Sequence, residues 1–163
     1  MNIVSNTSPL INLAMIGELE LLHKLYDTIC IPQAVYDEIV VQGNGQAGDE
    51  QIKNSSWIQV QTIKNELLVQ SLLLELDKGE AEAIALAVET SAHLVLLDEK
   101  RGRTIAAHFK VRHLGLLGVL VQAKRTGLIP VVKPLIDHLR HHAGFWIDNK
   151  LYHYVLNSVN EMV

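Results

Sequence analysis

The run His93-Leu94-Val95-Leu96-Leu97 restricts the fold more than any other stretch of the chain. It is too short for a stable helix, continuously apolar, and stops abruptly at Asp98-Glu99. Such a run reads as a strand buried on both faces, and strands of that kind belong to parallel sheets covered by helices on each side. Ile3-Val4, Thr28–Ile31 and Trp57–Ile63 are further strand candidates; in the last, Ile58 and Val60 alternate with Gln59 and Gln61. Between them, Leu10, Leu13, Ala14 and Ile16 recur at helical spacing until Gly17, and Leu19, Leu22 and Leu25 form a second short helix. Ser5–Pro9 reads as a turn, Pro32 opens a helix that runs to about Val41, and Gln42–Asp49 reads as a Gly-rich loop. Helical patterns then cover about Glu66–Leu76, Gly79–Thr90, Arg101–Val111, Leu116–Lys124, Pro134–His141 and Asp148–Val159.

The expected architecture is α/β: three layers, α/β/α, around a short and mostly parallel central sheet. A chain of 163 residues without an internal linker or repeat is expected to form one domain over residues 1–163. The helices from about residue 132 are expected either to pack on it or to form an interface. Cys30, the one cysteine, excludes an intrachain disulfide and reads as a small buried hydrophobe. The first 16 residues hold no Lys or Arg, and no stretch approaches the roughly 20 apolar residues needed to cross a bilayer. The expectation is therefore no leader, no membrane association and a cytoplasmic location.

In sheets of this kind, ligands gather beyond the carboxyl ends of the strands. Ser5-Asn6-Thr7-Ser8 and Asp98-Glu99 fall there. Asp98 fits equally as the cap of the helix that follows it. On a helical projection of Gly79–Glu89, Ala81, Ile84, Ala87 and Val88 define the buried face, with Glu82 and Glu89 on the opposite, wet side. Glu80 lies beside the apolar stripe, where it needs a cation, a metal or the free N–H groups of the helix start. The same projection of Pro32–Val41 leaves Asp37 and Glu38 at opposite edges and does not choose between them. Glu80 and Asp98 can thus meet at one end of the sheet. An oxygen-rich site of this sort suits Mg²⁺ or Mn²⁺, which activate water and offset charge on a phosphodiester.

Several segments, taken in order, resemble one family. They are Asn6–Ala14, Ile31–Glu38, Leu76–Ala87, Leu97–Arg103, Leu117–Leu120 and Gly127–Pro130. They resemble the PIN-domain superfamily, and within it an uncharacterised branch related to the toxin ribonucleases of type II toxin–antitoxin pairs. The resemblance implies a metal-dependent endoribonuclease with Glu38, Glu80 and Asp98 as catalytic acids. It further implies Mg²⁺ or Mn²⁺ held by Asn6, Glu38, Glu80 and Asp98, with Glu99 auxiliary and Ser8 a polar contact. Asn6 stands where the family pattern places an acid. An amide oxygen can coordinate Mg²⁺ but brings no charge, which lowers metal affinity. RNA as substrate, a homodimer and a small antitoxin partner are implied in the same way.

The alternative is a PIN-like module with weak or no catalysis that binds RNA or protein. Asn6 and the formal charge of −4 keep it open. Lys100, Arg101 and Arg103 either clamp phosphates or form a solvated helix face. His138, His141 and His142 lack a companion cysteine cluster and read as an exposed helix face. The Gly43–Gly48 loop lacks the Gly-Lys-Ser/Thr ending of a phosphate-binding loop and reads as a connection or a cleft rim. Trp57, Phe145 and Trp146 read as packing or interface residues, because aromatics at 5% are too few for an extended base-stacking platform.

Overall fold

The computed structural model describes residues 1–162. Five strands, β1 (Ile3–Ser5), β2 (Ile29–Pro32), β3 (Ile58–Gln61), β4 (Leu94–Leu96) and β5 (His113–Leu114), form one sheet in the order β3-β2-β1-β4-β5. Every pairing is parallel, with Val4 opposite both Cys30 and Val95, and Leu96 opposite Leu114. Between β1 and β4 the strand order reverses, which opens a crevice at their carboxyl ends. Helices α1 (Thr7–Met15), α2 (Glu20–Tyr26), α3 (Gln33–Tyr36), α4 (Asp49–Lys53) and α5 (Glu66–Leu72) alternate with the first strands. They are followed by α6 (Lys78–Glu89), α7 (Lys100–His108), α8 (Leu116–Arg125), α9 (Lys133–His142) and α10 (Asn149–Ser158).

The period of two along each strand divides the interior into two cores. Ile3, Ile29, Ile31 and Leu96 face one side, where Leu10, Leu22, Leu120 and Ile136 meet them. Val4, Cys30, Val95 and Leu97 face the other, against Ala81, Ile84, Val69 and Ala106. The result is the three-layer α/β/α arrangement. Leu139, Val155 and Leu156 belong to the first core, so α9 and α10 pack onto the body of the protein. Among the described residues, no helix is long and apolar enough to cross a membrane.

Glu161 ties this C-terminal region down. Its carboxylate accepts from the N–H groups of Val132 and Lys133, at 2.6 and 2.8 Å, and from Lys124 Nζ at 2.9 Å. Glu161→Ala removes three donors' partner at once and is expected to cost about 2–3 kcal/mol, read as a lower urea midpoint.

The structure differs from the sequence expectation in particular places. Ser5–Pro9 is not a turn: β1 runs through Ser5, and α1 starts at Thr7 with Pro9 in its first turn, where a missing N–H costs nothing. The helix after Pro32 becomes a π-helical turn at Asp37–Val41. Helix α4 and strand β5 have too few residues to show a period. Glu82 and Glu89 do not face water freely. Helices α3 and α5 pack against α6, and both acids are half-buried there. Glu82 accepts from the Ala34 N–H at 3.1 Å, and Glu89 from those of Lys64 and Asn65 at 3.0–3.3 Å.

Candidate metal and nucleic-acid site

Asn6 is the first residue beyond β1, and its N–H donates to the Leu96 carbonyl of β4 at 3.1 Å. It occupies the cap position of α1, yet its side chain makes no capping bond. Glu38 sits in the π-helical turn, which is underwound so that the Gln42 N–H reaches back to the Asp37 carbonyl at 2.7 Å. Asp37 and Glu38, indistinguishable by periodicity, part company here. Asp37 takes a hydrogen bond from Gln33 Nε2 at 2.9 Å, while Glu38 turns toward the start of α6.

That start is held by Asp77, whose Oδ1 accepts from the Glu80 N–H at 2.8 Å and so caps the helix. Gly79 follows. A Cβ built on it would lie 3.2 Å from Asn6 Oδ1, 3.3 Å from Glu38 Oε1 and 3.6 Å from Asp77 Oδ1. Three oxygens from three separate elements therefore converge on the bare Cα of one glycine. Asp77 is not among the candidates that the sequence singles out. Its signal is an acid three residues before Glu80, at the position of a helix cap, and the capping role hides any second one.

Glu80, the next residue, is buried to 7% exposure, with Oε2 lacking any hydrogen-bond partner. The same oxygen would be 3.0 Å from a Cβ on Gly102 of α7, so only glycine leaves it room. Burial first, then the Asp77 carboxylate beside it, push the Glu80 carboxyl up to about 7. The helix start meets it only in part: the Asp77 N–H favours the charged form without offsetting burial, and Oε2 stays unpartnered.

Asp98 stands beyond the carboxyl end of β4. It caps not α7, which follows it, but α8: Oδ1 accepts from the Leu116 N–H at 2.7 Å. Oδ2 accepts from Ser8 Oγ at 3.4 Å, and Ser8 Oγ accepts from Asn12 Nδ2 at 3.1 Å. Burial raises the Asp98 carboxyl above its ordinary range, although the Leu116 N–H, Ser8 and the Arg103 guanidinium pull the other way.

A cleft of about 300 Å³ opens over the oxygens, with Asn6, Ser8, Asn12, Glu38, Asp77 and Glu99 on its walls. Ser8, Asn12 and Glu99 also border a larger groove of about 840 Å³ that holds Asp98, Lys100 and Arg103. The structure thus gathers Asn6, Ser8, Glu38 and Glu99 in the cleft and sets Asp98, Lys100 and Arg103 alongside. Glu80 lines neither. Arg101 is elsewhere, ion-paired with Glu75 on a separate groove beside Phe109. Among the aromatics, Trp57 stacks on His23 and Phe145 packs on the core, but Trp146 is 80% exposed and does not pack.

Among the described residues, no three His, Cys, Asp or Glu side chains form a metal-holding group. The set at Gly79 is two carboxylates and an amide, all oxygen, and the next residue, Glu80, carries an unpartnered oxygen. That donor chemistry fits a hard cation such as Mg²⁺ or Mn²⁺ and not zinc. The fold and the cleft together define a doubly wound α/β protein with an oxygen-rich pocket at its switch point. A family model for the PIN domain, DUF3368, matches residues 2–161, and the chain belongs to that family. Membership places it in a nuclease-type class that acts on nucleic acid and generally uses divalent metal ions. No curated protein matches the chain.

Proposed function

We propose that the protein is a divalent-metal-dependent endoribonuclease whose Asn6, Glu38 and Asp77 hold Mg²⁺ or Mn²⁺ over Gly79. The observation that supports this is the convergence of three side-chain oxygens on one glycine, one of them from Asp77, whose neighbour Glu80 is a buried carboxyl with an unpartnered oxygen. A bound divalent ion supplies an acidified water and positive charge for the phosphoryl oxygens. Glu80 gives up its proton when a cation enters, because the nearby positive charge reverses the cost of ionising it. Asp98 orients Ser8 at the cleft wall, Glu99 lines the rim, and Lys100 and Arg103 lie where they can meet backbone phosphates. Arg101, paired with Glu75, takes no part.

A toxin role, with a homodimer and a small antitoxin partner in the cytoplasm, follows from the family resemblance. Growth arrest on induction and the mass of the purified protein test it. The experiment for the central reading measures cleavage of RNA and DNA panels with Mg²⁺, Mn²⁺ or EDTA, together with Mn²⁺ binding by calorimetry. Metal-dependent RNA cleavage that Glu38→Gln abolishes is the expected result; neither cleavage nor metal binding rejects it.

A neutral residue at position 6 favours one second reading, a polynucleotide-binding module with little catalysis. Asn6→Asp separates the two. A nuclease is expected to gain Mn²⁺ affinity and cleavage from the added charge, whereas a binding module gains metal affinity without cleavage.

A further inference from the structure

We infer that the larger groove is a binding track for a single-stranded polynucleotide, with Trp146 and Tyr154 stacking its bases. This rests on the reading of the adjoining cleft as the place of cleavage. Trp146 is 80% exposed and Tyr154 72% exposed, and both border the same groove. Large exposed aromatics serve no core, whereas every base offers them a flat face. Lys100, Arg103 and Arg125 line the groove with them, none within ion-pair distance of an acid among the described residues, and outnumber its acids, Asp98 and Glu99. Among the described residues, the basic side chains that do form ion pairs, Arg101, Lys124 and Lys133, lie outside that groove. Cations and exposed aromatics that share one groove supply both contacts a single strand offers, to its phosphates and to its bases. The groove runs into the acidic cleft through their shared wall of Ser8, Asn12 and Glu99. A strand lying on the aromatics is thereby delivered to the oxygens over Gly79. A duplex keeps its bases stacked inside and offers the aromatics nothing, so the track selects unpaired strands.

The test uses the full chain carrying Trp57→Phe, which leaves Trp146 as the sole tryptophan, in EDTA so that no cleavage occurs. Fluorescence is titrated with a single-stranded oligouridylate, the matching deoxy strand and a duplex of equal length. Saturable quenching by the single strands and not by the duplex is expected. The ribo and deoxy arms show whether the 2′-hydroxyl contributes. Trp146→Ala and Tyr154→Ala, followed by anisotropy of a labelled strand, are expected to weaken binding roughly ten-fold or more each, with Trp146→Phe restoring most of it. Arg125→Ala is expected to lower the salt dependence by about one ion. Absence of quenching, equal duplex binding, or full affinity in Trp146→Ala overturns the inference. So does a mass that doubles with protein concentration and falls on Trp146→Ala, since the groove then seats a second copy. Single-strand binding without cleavage under any metal condition leaves the track standing and removes the nuclease reading. Cleavage unaffected by loss of both aromatics does the reverse.

Discussion

Glu80→Gln is expected to be more stable than the unchanged protein by roughly 1–2 kcal/mol at pH 8 in EDTA, with the advantage gone near pH 4. The folded protein holds the Glu80 proton up to about pH 7, whereas an unfolded chain releases it near 4.5. The folded state therefore binds more protons across that interval, and its stability falls as pH rises through it. Above pH 7 the penalty is complete and constant. A neutral amide carries none of it, so the two urea midpoints diverge between pH 4.5 and 7 and then run parallel. Equal midpoints at pH 8 contradict this account of Glu80. Mn²⁺ supplies a second arm: it is expected to narrow the gap by stabilising the ionised acid, provided the metal site forms.

Gly79→Ala is expected to part stability from binding. The helix preference for alanine, roughly 0.5–1 kcal/mol, is offset by contacts of 3.2 and 3.3 Å to Asn6 and Glu38, so thermal stability is expected to change little. The new methyl, however, occupies the point on which Asn6, Glu38 and Asp77 converge. Mn²⁺ affinity measured by calorimetry is expected to fall on the order of 10- to 100-fold, the range seen when the surroundings of a metal ligand are disturbed. If the Gly79→Ala variant binds metal as well as the original, the cation sits elsewhere.

How much of this is legible in the residues depends on the kind of signal. The four-residue apolar run at Leu94–Leu97 and the clean helical stripe of Gly79–Glu89 announce a covered parallel sheet, because a deeply buried element must be apolar throughout. Strand β5, with two residues, leaves no period to read. Glu80 stands out in the sequence as an acid with nowhere to go, and it is one. What the acids around it bond to is not legible: Asp98 reaches across 18 residues to cap α8, and Asp77 serves Glu80 before anything else. Those choices depend on how helices sit over the sheet, which a projection of one helix does not contain. Glu82 and Glu89 mislead for the same reason, since a helix wrapped by two others has no wet side. Trp146 reads as a packing residue because most tryptophans pack, and only its place on an open groove distinguishes it.

The bonding of Glu82 and Glu89 also bears on how a polyanion meets this molecule. The formal charge of −4 suggests repulsion at a distance. Yet these two carboxylates, like Asp98 and Glu161, are partly buried and lean on backbone N–H dipoles. Beyond roughly 8–10 Å, salt screens what field they still project. The potential felt by an approaching strand is set by what lines its path, and along the groove Lys100, Arg103 and Arg125 outnumber the acids Asp98 and Glu99. A chain that counts as acidic can therefore offer a nucleic acid a locally basic approach.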